Sequence, residues 1–147
     1  MDELVVASVR YPVVCPDCDA EMACCGVQAL VDGRLRWDVE SACSACGFAV
    51  AVCGAGEPPA ERRAQLLAEH GPSLLRVSGA GAAVRVAVMR VMRAELGLDL
   101  PGARAAAGRV LDGTYTGTRP EIERLARCLR AYGVAAEAVP AGGAPRG

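Results

Sequence analysis

Two pairs of cysteines constrain this chain more than any other feature of its sequence. Cys15 and Cys18 form one C-x2-C pair, Cys43 and Cys46 form a second, and residues 19–42 lie between them. Two thiolates at this spacing can hold one ion from a tight turn, and two such turns complete the tetrahedral four-sulfur site that Zn²⁺ favours. The sequence therefore predicts one structural zinc ion per chain, bound by these four cysteines.

The segment between the two pairs has the pattern of a β-hairpin. Apolar residues alternate with others over residues 27–31 and again over 35–39, and Asp32-Gly33 supplies a turn between them. A third short strand is predicted over residues 48–52. This arrangement resembles a three-stranded zinc ribbon, predicted over residues 1–56, in which Gly47 fits the turn after the second pair. The first pair departs from the pattern, because Asp19 stands where Gly is common.

A structural metal also fits the small core available to this segment. Roughly fifty residues with one Trp and one Phe bury little apolar area, and domains of that size often depend on a metal or on disulfides. Disulfides or a thioredoxin-like site are the alternatives. Cys24, Cys25 and Cys53 lie outside the two pairs and are interpreted as small buried hydrophobic residues, with alternative ligation or redox sensing left open.

The net charge and the cysteine content of the chain both change between residues 54 and 60. Residues 1–60 contain nine acids and three Arg, a net charge of −6, whereas residues 61–147 contain eight acids and thirteen Arg, a net charge of +5. Seven of the eight cysteines precede residue 54. These shifts predict two modules, joined by a linker and connecting helix at 57–72. The acidic charge disfavours direct nucleic-acid binding by the N-terminal module.

The C-terminal module is predicted to be a β-α-α-β-α-β domain over residues 73–140, followed by a flexible tail at 141–147, so the fold class is α+β. The main signals are helical periodicity over residues 82–96 and a capping box at Thr118–Glu121 that opens the last helix. That helix is expected to place Ile122, Leu125, Leu129 and Tyr132 on one face.

The helix over residues 82–96 has two contrasting sides. At 100° per residue, one side contains Val84, Ala87, Val88 and Val91, which is the expected core face. The far side contains Arg85, Val86, Met89, Arg90 and Arg93. A solvated helix face normally mixes acids with bases, and this side has no acid. The pattern therefore predicts an interaction surface.

The run from Val84 to Arg104 resembles the C-terminal domain of the bacterial ribosomal stalk protein, the L-seven/L-twelve family. In that family a helix with the pattern basic-Val-x-x-Ile-basic-x-x-Arg leads into Gly-Leu-x-Leu-x-x-Ala-Lys. The matching positions here are Arg85, Val86, Met89, Arg90, Arg93, Gly97, Leu98, Leu100, Ala103 and Arg104. The resemblance extends over about residues 73–140, while a zinc ribbon stands where the family has a helical dimerisation segment.

The resemblance implies a docking surface, here named the arginine face. It comprises Arg85, Val86, Met89, Arg90, Arg93 and Arg104. In the family this surface binds translational GTPases. Each family Lys is Arg here, which keeps the charge and favours bidentate binding of carboxylates.

These observations together predict a non-enzymatic, cytoplasmic adaptor with an acidic protein partner such as a translation factor. The sequence has no His-bearing catalytic constellation, its only His is His70, and the Gly79-x-Gly81 segment lacks the rest of a phosphate-binding loop. Its longest near-apolar run is about half of the ~20 residues that a bilayer span needs, so no membrane association is expected. The alternatives are a nucleic-acid- or ribosome-associated regulator acting through the C-terminal arginines, and a thiol-based redox switch.

Overall fold

A computed structural model describes residues 3–79 and 81–142, except for the side chain of Ala55. The chain divides into two compact units, Met1–His70 and Gly71–Gly147, so the predicted connecting helix belongs to the first unit. Of the predicted tail at 141–147, all but Ala141 and Gly142 lies outside the described residues. In the described part of the chain, every helix is too short or too polar to cross a bilayer.

The first unit is an antiparallel sheet of four strands with one helix. The strands follow one another in the order β1-β2-β3-β4. These elements are β1 (Val5–Val14), β2 (Glu21–Val31), β3 (Arg34–Ala42), β4 (Ala49–Ala55) and helix α1 (Ala60–His70). The prediction of three strands is wrong, because β1 adds a fourth and pairs with β2 along ten residues. The β2–β3 hairpin is confirmed, and both of its turn residues have positive φ, 50° at Asp32 and 77° at Gly33.

One face of this sheet has no charged side chains. Its side chains come from the odd-numbered residues of β1 and β3 and the even-numbered residues of β2 and β4, and none of these is Asp, Glu or Arg. The opposite face contains the charged side chains, among them Arg10, Asp38 and Glu40. Because successive residues of a strand point to opposite faces, the alternation of the sequence determines which face is buried.

Helix α1 covers the outer edge of β1. Gln65 Nε2 donates to the carbonyl oxygen of Arg10 at 2.8 Å, and His70 Nε2 lies 2.7 Å from the carbonyl oxygen of Ser8. The guanidinium of Arg62 lies 4.2 Å from the ring centre of Tyr11. His70 therefore has a hydrogen-bond partner on β1. The side chains of Gln65 and His70 satisfy backbone carbonyl oxygens that an exposed edge strand would otherwise present to solvent.

The second unit is a three-stranded antiparallel sheet with three helices. The strand order is β6-β5-β7. The elements are β5 (Ser73–Val77), α2 (Ala82–Leu96), α3 (Leu100–Leu111), β6 (Thr116–Gly117), α4 (Arg119–Ala131) and β7 (Ala136–Pro140). Their order is the predicted β-α-α-β-α-β.

Side-chain caps mark the beginnings of two helices of this unit, α3 and α4. The predicted capping box is confirmed: Thr118 N donates to Glu121 Oε1 at 3.0 Å, and Glu121 N donates to Thr118 Oγ1 at 3.4 Å. Asp99 caps α3 by accepting from Gly102 N at 2.8 Å. Ile122, Leu125 and Leu129 of the expected face are buried, whereas Tyr132 follows the end of α4 at Ala131 and is 54% exposed.

Candidate functional site

Each cysteine pair lies on a tight turn with two characteristic backbone hydrogen bonds. In the first turn, Asp19 N donates to Cys15 O at 3.0 Å, and Cys15 N donates to Ala20 O at 2.7 Å. The second turn repeats both bonds, from Gly47 N to Cys43 O at 2.9 Å and from Cys43 N to Phe48 O at 2.7 Å. The first turn joins β1 to β2 and the second joins β3 to β4, so the antiparallel sheet brings both to the same end.

Asp19 and Gly47 occupy equivalent positions in the two turns. Both have left-handed backbone conformations, with φ of 60° and 81°. Glycine adopts this conformation freely, and Asp and Asn tolerate it better than most other residues do. The departure of Asp19 from the glycine pattern is therefore compatible with the same turn.

The two turns bring the four predicted ligands together. All four sulfur atoms lie within 4.8 Å of one another. The Cys15 and Cys46 sulfurs are 3.6 Å apart, as are those of Cys18 and Cys43. A zinc–sulfur distance near 2.3 Å gives tetrahedral edges of ~3.8 Å, so the sulfur group has the size of a four-thiolate zinc site. The four cysteines are free thiols, separated by more than the ~2.05 Å of a disulfide.

The sulfur group is closed on one side and open on the other. Cys15 and Cys43 are buried, whereas Cys18 and Cys46 are exposed. The buried pair packs in a small apolar cluster with Met22 and Cys24. Half-buried neighbours complete this cluster: Tyr11, Val13, Ala20, Val39 and Phe48.

The pKa values of Cys43 and Cys46 are shifted in opposite directions. The pKa of Cys43 is lowered to about 7, chiefly because the backbone N–H of Cys46 donates to its sulfur. At Cys46 the backbone N–H of Phe48 lowers the pKa, but burial and the neighbouring thiols outweigh it and raise the pKa to about 12. Four thiolates at these distances repel one another, and a divalent cation is the partner that compensates them. This donor set therefore fits zinc.

The other cysteines of the first unit lie outside the sulfur group. In the described chain that group consists of the four predicted ligands alone. Cys24 is buried, and its sulfur lies 2.8 Å from the Ser41 hydroxyl. Cys25 is half-buried on the opposite face, and Cys53 is exposed on β4. The interpretation as buried hydrophobic residues therefore holds for Cys24 and is wrong for Cys53, because β4 is an uncovered edge strand.

The structure places the arginine face on the exposed side of α2 and α3. Arg85, Arg90, Arg93 and Arg104 are exposed, and Val86 is 48% exposed. Met89, expected to be exposed, is half-buried and packs against the core. On the inner side of α2, Val88 and Val91 are buried as predicted, and Val84 and Ala87 are half-buried. Met92 is not on the predicted core face, yet it is fully buried in the same helix.

Within the described residues, the four arginines of this face have no acidic partner, unlike three arginines elsewhere in the unit. Arg76 pairs with Glu137, Arg124 with Glu95, and Arg130 with Glu123. Over residues 3–79 and 81–142, no hydrogen bond or ion pair engages the guanidinium groups of Arg85, Arg90, Arg93 and Arg104. Leu96 and Leu100, 39% and 47% exposed, add exposed apolar area to the same helices. Leu96 follows Arg85 by eleven residues, which returns to the same side of a helix.

Comparison with protein-family models, with curated proteins and with solved structures finds no match for this chain. The likeness to the ribosomal stalk family therefore depends on the sequence resemblance over about residues 73–140 alone. It stays a prediction, as does the role of the arginine face.

Proposed function

We propose that this protein is a non-enzymatic adaptor in which a zinc ribbon is joined to a stalk-like domain that binds an acidic protein partner. The observation that carries the proposal is the group of four sulfurs on two matching turns, which has the donor set and size of a structural zinc site. A bound ion would supply positive charge to four thiolates and tie the two turns together. No enzymatic role is proposed for either unit.

Zinc would be structural because of where the two turns lie. They connect β1 to β2 and β3 to β4 at the same end of the sheet, so one ion ties both connections together. The apolar cluster around the buried sulfurs is small, and metal binding energy is then folding energy for the unit. Three protein ligands and an open position are typical of catalytic zinc, whereas four cysteines close the coordination sphere.

The arginine face supports a partner that supplies carboxylates. Arg85, Arg90, Arg93 and Arg104 are exposed and have no acidic partner within the described residues, and Val86 is exposed on the same helix as three of them. The sequence from residue 61 onward has a net charge of +5. Guanidinium groups bind carboxylates in a bidentate geometry, and an apolar centre excludes water from the ion pairs around it. The resemblance of α2 and α3 to the stalk protein makes a translational GTPase the partner of choice for a test.

The test measures binding of the full chain to a purified bacterial translational GTPase in its GTP form. We expect saturable binding that Arg90→Ala and Arg93→Ala each weaken at least tenfold, because truncating an arginine with a desolvated acidic partner costs about 2 kcal/mol or more. Arg76→Ala is the matched control, since Arg76 already pairs with Glu137. Absence of binding, or equal weakening by the control, contradicts the partner assignment.

The same four unpaired arginines also favour a second candidate, binding to RNA phosphates. That alternative predicts that log Kd for a generic RNA depends steeply on log salt concentration, with a slope reduced by about one for each arginine removed. The acidic N-terminal unit opposes it. RNA binding at physiological salt with such a slope replaces the protein-partner proposal.

A further inference from the structure

We propose that strand β4 is a docking edge for an extended segment of another protein, in which basic side chains alternate with apolar ones. The segment adds a fifth strand to the sheet of the first unit. This surface is separate from the arginine face, so the proposal does not depend on which partner the arginine face binds.

The two edges of the four-stranded sheet have different surroundings. Helix α1 covers the edge at β1, where Gln65 and His70 contact carbonyl oxygens of that strand. At the other edge, β3 is the only strand that pairs with β4 among the residues that the structure describes. Edge strands are commonly protected from further pairing by charged side chains, by proline or by a covering element. Residues 49–55 contain no charged residue and no proline, so β4 is open to a further strand.

The β3–β4 ladder shows which backbone groups of β4 point outward. Cys43 N donates to Phe48 O at 2.7 Å, and Gly56 N donates to Leu35 O at 3.3 Å. In an antiparallel pair, residues whose backbone groups bond to the partner strand alternate with residues whose groups point away from it. Even-numbered residues of β4 therefore bond to β3. The outward N–H and C=O groups belong to Ala49, Ala51 and Cys53.

Two exposed valines make one side of this edge apolar. Val50 and Val52 are 41% and 59% exposed and lie on the face of the sheet that has no charged side chains. Side chains directly opposite each other on neighbouring strands have Cβ atoms ~4.5–5.5 Å apart. Apolar side chains of the added segment therefore pack against these valines. Because side chains alternate along a strand, every second residue of the segment is apolar.

A groove on the opposite face of the sheet contains an unpaired carboxylate. The groove has a volume of about 500 Å³ and reaches the β4 edge. Glu40 lines it and lies directly across the β3–β4 ladder from Ala51. The Glu40 side chain is exposed, and in the described part of the chain no hydrogen bond or ion pair engages its carboxylate. Small side chains form the groove next to the edge: Ala42, Ala49 and Ala51.

A basic side chain of the added segment can reach this carboxylate. Neighbouring strands lie ~4.8 Å apart, so the segment is ~10 Å from β3, and the short side chain of Ala51 lies between them. The stem of a Lys or Arg lies over Ala51, and its charged head meets Glu40. Arg10, the cation of the groove, is on β1, two strands beyond Glu40. The net charge of −6 over residues 1–60 also favours a basic segment over an acidic one.

The experiment measures binding of the full-length chain to a fluorescent peptide by anisotropy at physiological salt. The peptide has alternating Lys and Val over 7 residues, the length of β4. A peptide of the same composition, with its lysines and valines in separate blocks, tests whether charge alone is sufficient. We expect saturable binding of the alternating peptide and much weaker binding of the block peptide.

Two matched substitutions test the role of the carboxylate. Glu40→Gln should weaken binding of the alternating peptide about two- to fivefold, as loss of one exposed ion pair does. Glu21→Gln changes the net charge equally, but Glu21 is on β2 and does not adjoin β4. This control should bind the peptide as wild type does.

Substitutions of Ala51 test the strand edge itself. Ala51→Pro removes an outward N–H that β3 does not use, so it should lose peptide binding and keep the sheet signal in circular dichroism. Ala51→Lys should weaken binding by about tenfold or more, because it places a charge on the edge and lies beside Glu40. This second variant keeps the test decisive if Ala51→Pro fails to fold.

Four results overturn the proposal. They are absence of binding, equal binding of the block peptide, equal weakening by Glu21→Gln, and undiminished binding by Ala51→Lys. Sedimentation velocity without peptide detects a different occupant of the edge. A dimer that Ala51→Lys dissociates would show that a second copy of this chain pairs with β4, which also overturns the proposal.

Discussion

The indole ring of Trp37 occupies the space that a side chain at Gly26 would need. A Cβ on Gly26 would overlap Cη2 and Cζ2 of that ring, which lies diagonally across the β2–β3 ladder from it. We expect Gly26→Ala to lower the free energy of unfolding of the first unit by about 1–3 kcal/mol, because overpacking forces a rigid ring out of its place. Urea unfolding followed by Trp37 fluorescence measures this.

Gly108→Ala is a control of opposite sign for that prediction. Gly108 lies inside α3, and an added Cβ would meet no atom within 4 Å. Alanine in a helix interior is favoured over glycine by roughly 0.5–1 kcal/mol, so the second unit should become more stable. Equal destabilisation by both substitutions would show that the ring contact is not the cause.

Local signals predicted the features that depend on neighbouring residues. The Asp32-Gly33 turn, the two C-x2-C turns and the Thr118 capping box each involve residues close in sequence, and the structure has all of them. Strand β1 was not predicted because its pairing partner, β2, follows only after the first cysteine turn. Pro12 also interrupts the strand pattern, and valines occur on both faces of β1, so its residues do not alternate clearly.

The burial of individual side chains on α2 and the pairing of arginines depend on tertiary packing, which the sequence pattern alone does not supply. The angle at which α2 rests on the core buries Met92 and half-buries Met89, a difference that a helical projection alone does not supply. Which arginines find acidic partners likewise depends on residues distant in sequence, such as Glu95, which pairs with Arg124. The unpaired state of the arginine face is therefore a property of the fold.

The left-handed residue of the second turn should control metal binding. We expect Gly47→Ala to weaken zinc binding by about tenfold, since an L-residue at φ 81° costs roughly 1–2 kcal/mol and folding of this unit is coupled to the metal. Gly47→Asn should weaken zinc binding less than Gly47→Ala does, because Asn tolerates the left-handed conformation, as Asp19 does in the first turn. Competition with a zinc chelator gives both affinities, and equal losses would exclude backbone strain as the cause.

Removal of one ligand should unfold the first unit alone. Cys43→Ser leaves three thiolates and a hydroxyl, so we expect loss of zinc and of the sheet, while the second unit stays folded on its own core. Circular dichroism should show that most helix signal remains, because three of the four described helices belong to the second unit. Cys53→Ser is the control and should keep its zinc. A single cooperative loss of all helix signal would refute the division into two units.

Two adjacent residues of α2 provide the sharpest test of how this helix is oriented. Met92 is fully buried among core side chains that include Val88 and Leu129, whereas Arg93 is exposed and has no partner among the residues that the structure describes. Met92→Ala should lower the free energy of unfolding of the second unit by about 2–5 kcal/mol through the cavity it leaves. Arg93→Ala should change it by no more than about 0.5 kcal/mol, as surface substitutions usually do. Urea unfolding followed by helix circular dichroism measures both changes in the free energy of unfolding.

If Arg93→Ala destabilises the unit as much as Met92→Ala does, then α2 presents its arginines to the core side. The arginine face could not then bind a partner without disturbing the fold.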